Sequence, residues 1–251
     1  MRVDLNADVG ESFGPYTLGD DAGVLRSVTS ASVAAGFHGG DPSVLRRTIR
    51  LARECGVAVG AHPGFADRVG FGRRDIRLPP DEIEDLVLYQ VAVVAGVTRS
   101  EGLRLQHVKP HGALYNMAAR ERPLADAVVR GIAAFDRELI LYAPAGSVLA
   151  DAGRAAGLRV AAEGFADRAY QRDGALVPRH VQGSVIASIE EVVHRAVRMV
   201  TDRAVETADG TMLPIEIDTI CVHGDTAGAP ALAAWLRAGL SASGVDVRPL
   251  A

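Results

Sequence analysis

Val3-Asp4-Leu5-Asn6-Ala7-Asp8-Val9 carries a pattern that few architectures can bury. Successive side chains of an extended chain point to opposite faces. Val3, Leu5, Ala7 and Val9 therefore share one face, and Asp4, Asn6 and Asp8 share the other. A strand of an open parallel sheet, covered by helices on both sides, reads as apolar throughout. An apolar back with an acidic front suits a closed barrel instead. Helices cover the back, and the front looks into an interior whose mouth can hold chemistry.

Further along the chain, short β-rich runs at residues 32–35, 57–61, 103–108, 139–142, 158–163 and 219–222 alternate with segments of helical period. The helical segments are 43–55, 81–101, 123–135, 147–156, 185–206 and 230–240, and residues 245–247 read as a short last strand. Asp41 and Pro42 stand where an N-cap and a first helical residue belong. Asp81 with Glu84 reads as a capping box. Residues 201–211 read as a polar connection. Such alternation means a parallel sheet with helices outside. The length of 251 residues matches the ~250 of an eight-fold barrel. The expected fold is α/β, a TIM-like (β/α) barrel of seven or eight parallel strands forming one domain over residues 1–251. An open doubly wound sheet is the alternative.

Composition narrows the function classes. A net charge of −4, with no run of one sign, argues against a nucleic-acid partner. No signal-peptide pattern opens the chain, and the apolar run at 86–97 is too short to span a bilayer. The expectation is a cytoplasmic protein without membrane contact, with homo-oligomers left open. Two cysteines, Cys55 and Cys221, are too few for a zinc site built on three or four thiolates and read as reduced, buried thiols. Hydrophobic residues make up 48% but aromatics only 5%, so the core is built from Ala, Val, Leu and Ile. One lysine stands among 27 basic residues, at Lys109. Arg cannot release a proton near neutral pH, whereas a desolvated Lys can. That choice marks Lys109 as functional.

The polar residues gather at strand ends. Asp8-Val9-Gly10-Glu11, Gly36-Phe37-His38-Gly39-Gly40-Asp41, Ala61-His62-Pro63-Gly64, Lys109-Pro110-His111-Gly112, Glu163-Gly164-Phe165-Ala166-Asp167-Arg168 and His223-Gly224-Asp225 each close or follow a strand. In a parallel α/β fold these loops open on one face. His38, His62, His111 and His223 share that placement, each with a glycine within two residues. Asp8, His38 and His62 could form a three-ligand divalent metal set with an open position for water. A metal-free site that hydrogen-bonds substrate is the equal alternative. His107, inside a strand, reads as structural, and His180 and His194 as solvated. Arg73-Arg74 could hold an anion. No phosphate loop, dinucleotide fingerprint or nucleophile elbow occurs.

At these loops the chain resembles the LamB/YcsF family. The matching stretches are Asp4-Leu5-Asn6-Ala7-Asp8-Val9-Gly10-Glu11, Gly36 to Pro42, Gly60-Ala61-His62-Pro63, Gly70-Phe71-Gly72-Arg73-Arg74, His107 to Asn116, Glu163 to Tyr170 and Val222-His223-Gly224-Asp225. Two departures are Ser32-Val33-Ala34-Ala35, where the family usually has Asn-Ile-Ala-Cys, and Gly64, where some members have Ser. The resemblance implies a barrel, often seven-stranded, related to glycoside hydrolases and deacetylases. It also implies ATP-dependent cleavage of the lactam 5-oxoproline to L-glutamate by an A subunit with B and C partners. The missing phosphate loop fits ATP handled by or with those partners. The catalytic candidates are then Asp8, His38, His62, Lys109, His111 and Asp225. Asn6, Glu11, Asp41, Arg73, Tyr115, Asn116, Glu163, Asp167, Arg168 and His223 are the substrate-binding candidates. A stand-alone metal-dependent amide or polysaccharide deacetylase is the alternative activity.

Overall fold

The computed structural model describes residues 1–178, 181–225 and 228–251. His180, read as solvated, lies outside them. The chain runs β1 (Arg2–Val9), α1 (Asp21–Leu25), β2 (Ser30–Ala34), α2 (Pro42–Cys55), β3 (Ala58–His62), α3 (Pro80–Ser100), β4 (Leu105–Val108), α4 (Gly112–Ala118) and α5 (Arg122–Phe135). It continues with β5 (Ile140–Pro144), α6 (Val148–Ala155), β6 (Arg159–Gly164), α7 (Ile189–Thr201), β7 (Ala204–Glu206), β8 (Met212–Pro214), β9 (Thr219–His223), α8 (Ala229–Ala242) and β10 (Asp246–Val247).

Among the described residues, seven parallel strands close a barrel in the order β1-β2-β3-β4-β5-β6-β9 and back to β1. The short β10 pairs with the start of β1. This is the expected TIM-like barrel in its seven-stranded form. Its closure explains the alternation in β1. Val3, Leu5 and Ala7 are fully buried in the hydrophobic core, and such burial stabilises by about 1.5–3 kcal/mol for each Val or Leu.

The polar face of β1 forms three levels. At the lowest, Asp4 accepts from Thr29 Oγ1 (2.6 Å), Ser30 Oγ (2.5 Å), Thr219 Oγ1 (2.6 Å) and Tyr142 Oη (3.0 Å). Burial still raises its pKa. Above it, Asn6 Nδ2 donates to Glu163 Oε1 (2.9 Å) and Thr219 Oγ1 (2.7 Å). Asp8 is the top level, at the mouth. Each buried polar group on this face has partners, as burial demands.

The Asp41 cap forms as expected. Its carboxylate accepts from Ser43 N (2.8 Å) and Val44 N (2.9 Å), and also from Gly14 N (2.9 Å). Asp41 is thus engaged by the backbone of its own cap and of the loop before it. Asp41→Ala will cost about 1 kcal/mol, the usual worth of such a cap. Thermal denaturation will show this as a Tm lower by about 2–4 °C.

Other local readings are corrected. The Asp81–Glu84 capping box does not form, because Pro79 is the N-cap of α3 and makes no side-chain cap bond. Pro80 presets the first turn, and Asp81 already lies within it, where an acid favours the helix dipole. The helix expected over 185–206 is only α7. Arg203, at φ 51°, turns the chain into β7, and β7 pairs antiparallel with β8 where a polar connection was expected. Cys55 is exposed at the end of α2, whereas Cys221 is buried as read. Among the described residues, no helix is long and apolar enough to cross a membrane.

Candidate active site

Lys109 follows β4 and is tied there by its backbone N to Ala61 O at 3.0 Å. This aims the side chain into the barrel mouth, where it is 2% exposed. Its Nζ lies 2.9 Å from Asp8 Oδ1, 2.8 Å from Glu163 Oε1, 3.1 Å from Asn6 Oδ1 and 2.9 Å from Cys221 Sγ. Burial alone would push the ammonium toward neutrality. Asp8, Cys221 and Glu163 outweigh it and hold the Lys109 pKa well above the usual value. The expectation that desolvation frees a proton from Lys109 is therefore corrected: the group is a fixed cation. Burial also works against ionised Asp8, but attraction to His62 and Lys109 wins and holds its carboxyl well below the usual range. Tyr115 Oη donates to Glu163 Oε2 at 2.5 Å, fixing the second carboxylate from the opposite side.

Beside this cation sit three histidines and a carboxyl. His38 and His111 stack with centroids 3.6 Å apart and planes at 4°. His62 Nδ1 meets Lys109 O at 2.7 Å, and His111 Nε2 meets Phe71 O at 2.7 Å. His62 Nε2 lies 2.9 Å from His111 Nδ1 and 3.5 Å from Asp8 Oδ2. Glu11 Oε1 is 3.2 Å from His38 Nε2 and 3.6 Å from His111 Nδ1. Burial lowers His38 to about 3, His111 to about 4 and His62 well below the ordinary value, so all three rings are neutral at pH 7. Burial raises Glu11 to about 8. Phe71 holds a left-handed φ of 55°, a strained conformation for an aromatic residue. Gly72, at φ 61°, lies against this pair, and a Cβ there would come within 2.7 Å of His38 Cβ.

The potential metal-ligand set therefore differs from the expected Asp8, His38 and His62. Donor atoms of Glu11, His38, His62 and His111 lie within 4.8 Å of one another, whereas Asp8 groups with Cys221 and His223. The reason is positional. Asp8 is drawn to Lys109 on one side of the mouth, and Glu11, three residues on, reaches the stacked imidazoles.

The rim holds Arg73, whose Nη2 donates to Asp225 Oδ2 at 2.6 Å, and His223, whose Nδ1 lies 3.3 Å from Asp167 Oδ2. Phe165 stacks on His223 with centroids 5.9 Å apart. Arg74 is engaged by Asp67, which leaves Arg73 as the rim arginine of that pair. Two candidates fall outside the site. Asn116 is exposed, one helical step of about 100° away from buried Tyr115. Arg168 donates to Ser184 O (3.2 Å) and Val177 O (2.7 Å) and so braces the loop after β6. Sequence reasoning missed the thiol of Cys221 against Lys109 and the carbonyl of Phe71 on His111. The Gly-Phe-Gly run around Phe71 was the available signal for the second. His107 is structural as read, stacked on Tyr142 at 4.1 Å, and His194 is exposed.

The LamB/YcsF family profile matches residues 3–251. The 5-oxoprolinase A subunit of Pyrococcus furiosus is 50% identical over 250 residues, covering 100% of this chain and 98% of the relative. The crystal structure of a lactam utilization protein from Thermus thermophilus superposes with a TM-score of 0.95 at 47% identity, covering 100% of both chains. A polysaccharide deacetylase from Bacillus cereus superposes with a TM-score of 0.50 at 12% identity, over 100% of this chain and 93% of that one, a likeness of fold alone. With the profile spanning nearly its whole length and half its residues shared with that relative, the chain belongs to the LamB/YcsF family.

Proposed function

We propose that this chain opens the lactam ring of 5-oxoproline to L-glutamate, as the A subunit of an ATP-dependent enzyme completed by B and C partners. The observation that carries this reading is Lys109, a buried cation between Asp8 and Glu163 at a barrel mouth. The names of the relatives, a 5-oxoprolinase A subunit and a lactam utilization protein, supply the substrate class.

A lactam is a resonance-stabilised amide, and its carbon resists water. The partners transfer a phosphoryl group from ATP to the lactam oxygen, because this sequence has no phosphate loop. In this chain Asp8, held ionised, orients water toward the activated carbon. Lys109 stabilises the negative charge that develops, as a preorganised donor does in a dry site. Water adds to the carbon, and the C–N bond breaks to give the amine and an acyl phosphate. A second water attacks that carbonyl and releases phosphate, leaving glutamate. Glu163 and Tyr115 hold the ammonium in place, and Arg73 at the rim receives the substrate carboxylate in exchange for Asp225.

A divalent metal fits the histidine-rich donor set, where it would polarise an oxygen or acidify bound water. That set is also the one observation favouring a stand-alone deacetylase, which would need neither ATP nor partners.

The test is isotopic. 5-Oxoproline carrying ¹⁸O in the ring carbonyl is turned over by the chain with its partners and ATP. Phosphoryl activation transfers that ¹⁸O to inorganic phosphate. Label found only in glutamate contradicts the scheme.

A further inference from the structure

The His62–His111 contact has a shortage of protons. His62 Nδ1 faces the carbonyl of Lys109, and His111 Nε2 faces the carbonyl of Phe71, each at 2.7 Å. A carbonyl only accepts, so each of these nitrogens carries the ring's hydrogen. In the neutral rings the lone pairs then sit on His62 Nε2 and His111 Nδ1. Those two atoms are 2.9 Å apart. Two lone pairs at that distance repel unless a positive species lies between or beside them. The other groups nearby do not supply one. Glu11 Oε1, at 3.6 Å from His111 Nδ1, is beyond hydrogen-bond reach, and ionised Asp8 Oδ2, 3.5 Å from His62 Nε2, only accepts. Lys109, the adjacent cation, is directed to Asp8, Glu163, Asn6 and Cys221.

We infer that Glu11, His62 and His111 bind a first-row divalent transition ion of the zinc class, with His38 stacked on the His111 ligand. The spacing agrees. Ligand atoms of a tetrahedral zinc at 2.0–2.1 Å are about 3.3 Å apart. The contacts here are 2.9 Å (His62–His111) and 3.6 Å (His111–Glu11). Two imidazoles and one carboxylate, with a fourth position left open, suit zinc, cobalt or nickel rather than calcium or magnesium. The backbone carbonyls of Lys109 and Phe71 do what outer partners of metal-bound histidines do, fixing tautomer and ring plane. The left-handed Phe71 has a role on this account, since it turns that carbonyl onto His111. Ring nitrogens do not need protonation for this arrangement, and the burial of these three side chains at 4% exposure or less favours neutral imidazoles.

The inference stands on these contacts and not on the identity of the substrate, so its test reads binding. The full-length chain is stripped with a chelator, and its fold is checked by circular dichroism. It is then titrated with Zn²⁺ by calorimetry and with Co²⁺ by visible absorption. One equivalent is expected, with the intense ligand-field bands of tetrahedral Co²⁺. Glu11→Gln and His111→Asn, each shown to be folded, are expected to weaken Zn²⁺ at least about tenfold. Cys221→Ser serves as the control for the neighbouring group of Asp8, Cys221 and His223, and is expected to leave the affinity unchanged. Absence of binding by the folded wild-type chain overturns the inference and leaves a proton shared between His62 and His111. Binding lost in Cys221→Ser but kept in Glu11→Gln overturns it as well, because the ion then belongs to the other group.

Discussion

Lys109→Met will cut ATP-dependent glutamate release by the assembled enzyme about 100- to 1,000-fold, the usual loss for one preorganised donor to a developing negative charge. Methionine keeps the length of the buried stem and removes only the cation. The loss will appear in kcat, because the charge that Lys109 meets exists in the transition state and not in the lactam. Stability will fall too. The ammonium sits between two carboxylates, Asp8 and Glu163, and its removal leaves both buried without a counter-charge. Breaking a buried pair in this way costs about 3–5 kcal/mol. The pH dependence then changes sign. In the wild type the folded pKa of Asp8 is depressed, so its contribution is present above the unfolded pKa and is lost as pH falls through the lower folded value. Without Lys109, burial dominates and raises the folded pKa. The folded variant then takes up a proton that the unfolded chain does not hold, and it regains stability as pH falls through the raised folded value toward the unfolded one. Urea denaturation at several pH values measures this. A variant that is equally destabilised at every pH contradicts the placement of the cation.

Gly60→Ala will lower Tm by several degrees. A Cβ on Gly60 would stand 2.2 Å from both Cδ2 and Nε2 of His107. That ring cannot give way. It stacks on Tyr142 at 4.1 Å, and its Nε2 lies 3.2 Å from Ser32 Oγ. Tyr142 in turn donates to Asp4, the lowest level of the polar interior. Overpacking of this kind costs about 1–3 kcal/mol or more, or roughly 2–4 °C of Tm per kcal/mol. Gly96→Ala is the internal contrast. A Cβ at exposed Gly96 on α3 meets nothing within 4 Å. Replacing a mid-helix glycine will stabilise by up to about 1 kcal/mol. Paired thermal melts that show equal losses for the two variants contradict the packing described here.

The fold was legible because one strand shows its two faces in sequence. Val3, Leu5 and Ala7 against Asp4, Asn6 and Asp8 need a helix-covered outside and a polar inside, and only closure supplies both. Asp41-Pro42 also announced its helix, since an N-cap acts through neighbouring backbone alone. The short helices α1 and α4 gave no periodic signal, and the β7–β8 hairpin was hidden in a polar stretch. The site was legible as a set, because loops after parallel strands must converge. Direction was not. Asn116 and Tyr115 are adjacent in sequence, yet one helical step sends Asn116 to solvent. Arg168 was drawn to the carbonyls of its own loop rather than to the mouth. Glu11 groups with the imidazoles while Lys109 holds Asp8 across the barrel, a contact between residues 101 positions apart that no local pattern records.

The central claim is that this barrel mouth performs ring opening once partners have activated the lactam. The measurement that tests it most directly is glutamate release from 5-oxoproline with ATP, by this chain alone, by the B and C partners alone, and by the mixture. The account predicts glutamate only from the mixture. Silence from a mixture of folded proteins, or equal release by the partners without this chain, would contradict it.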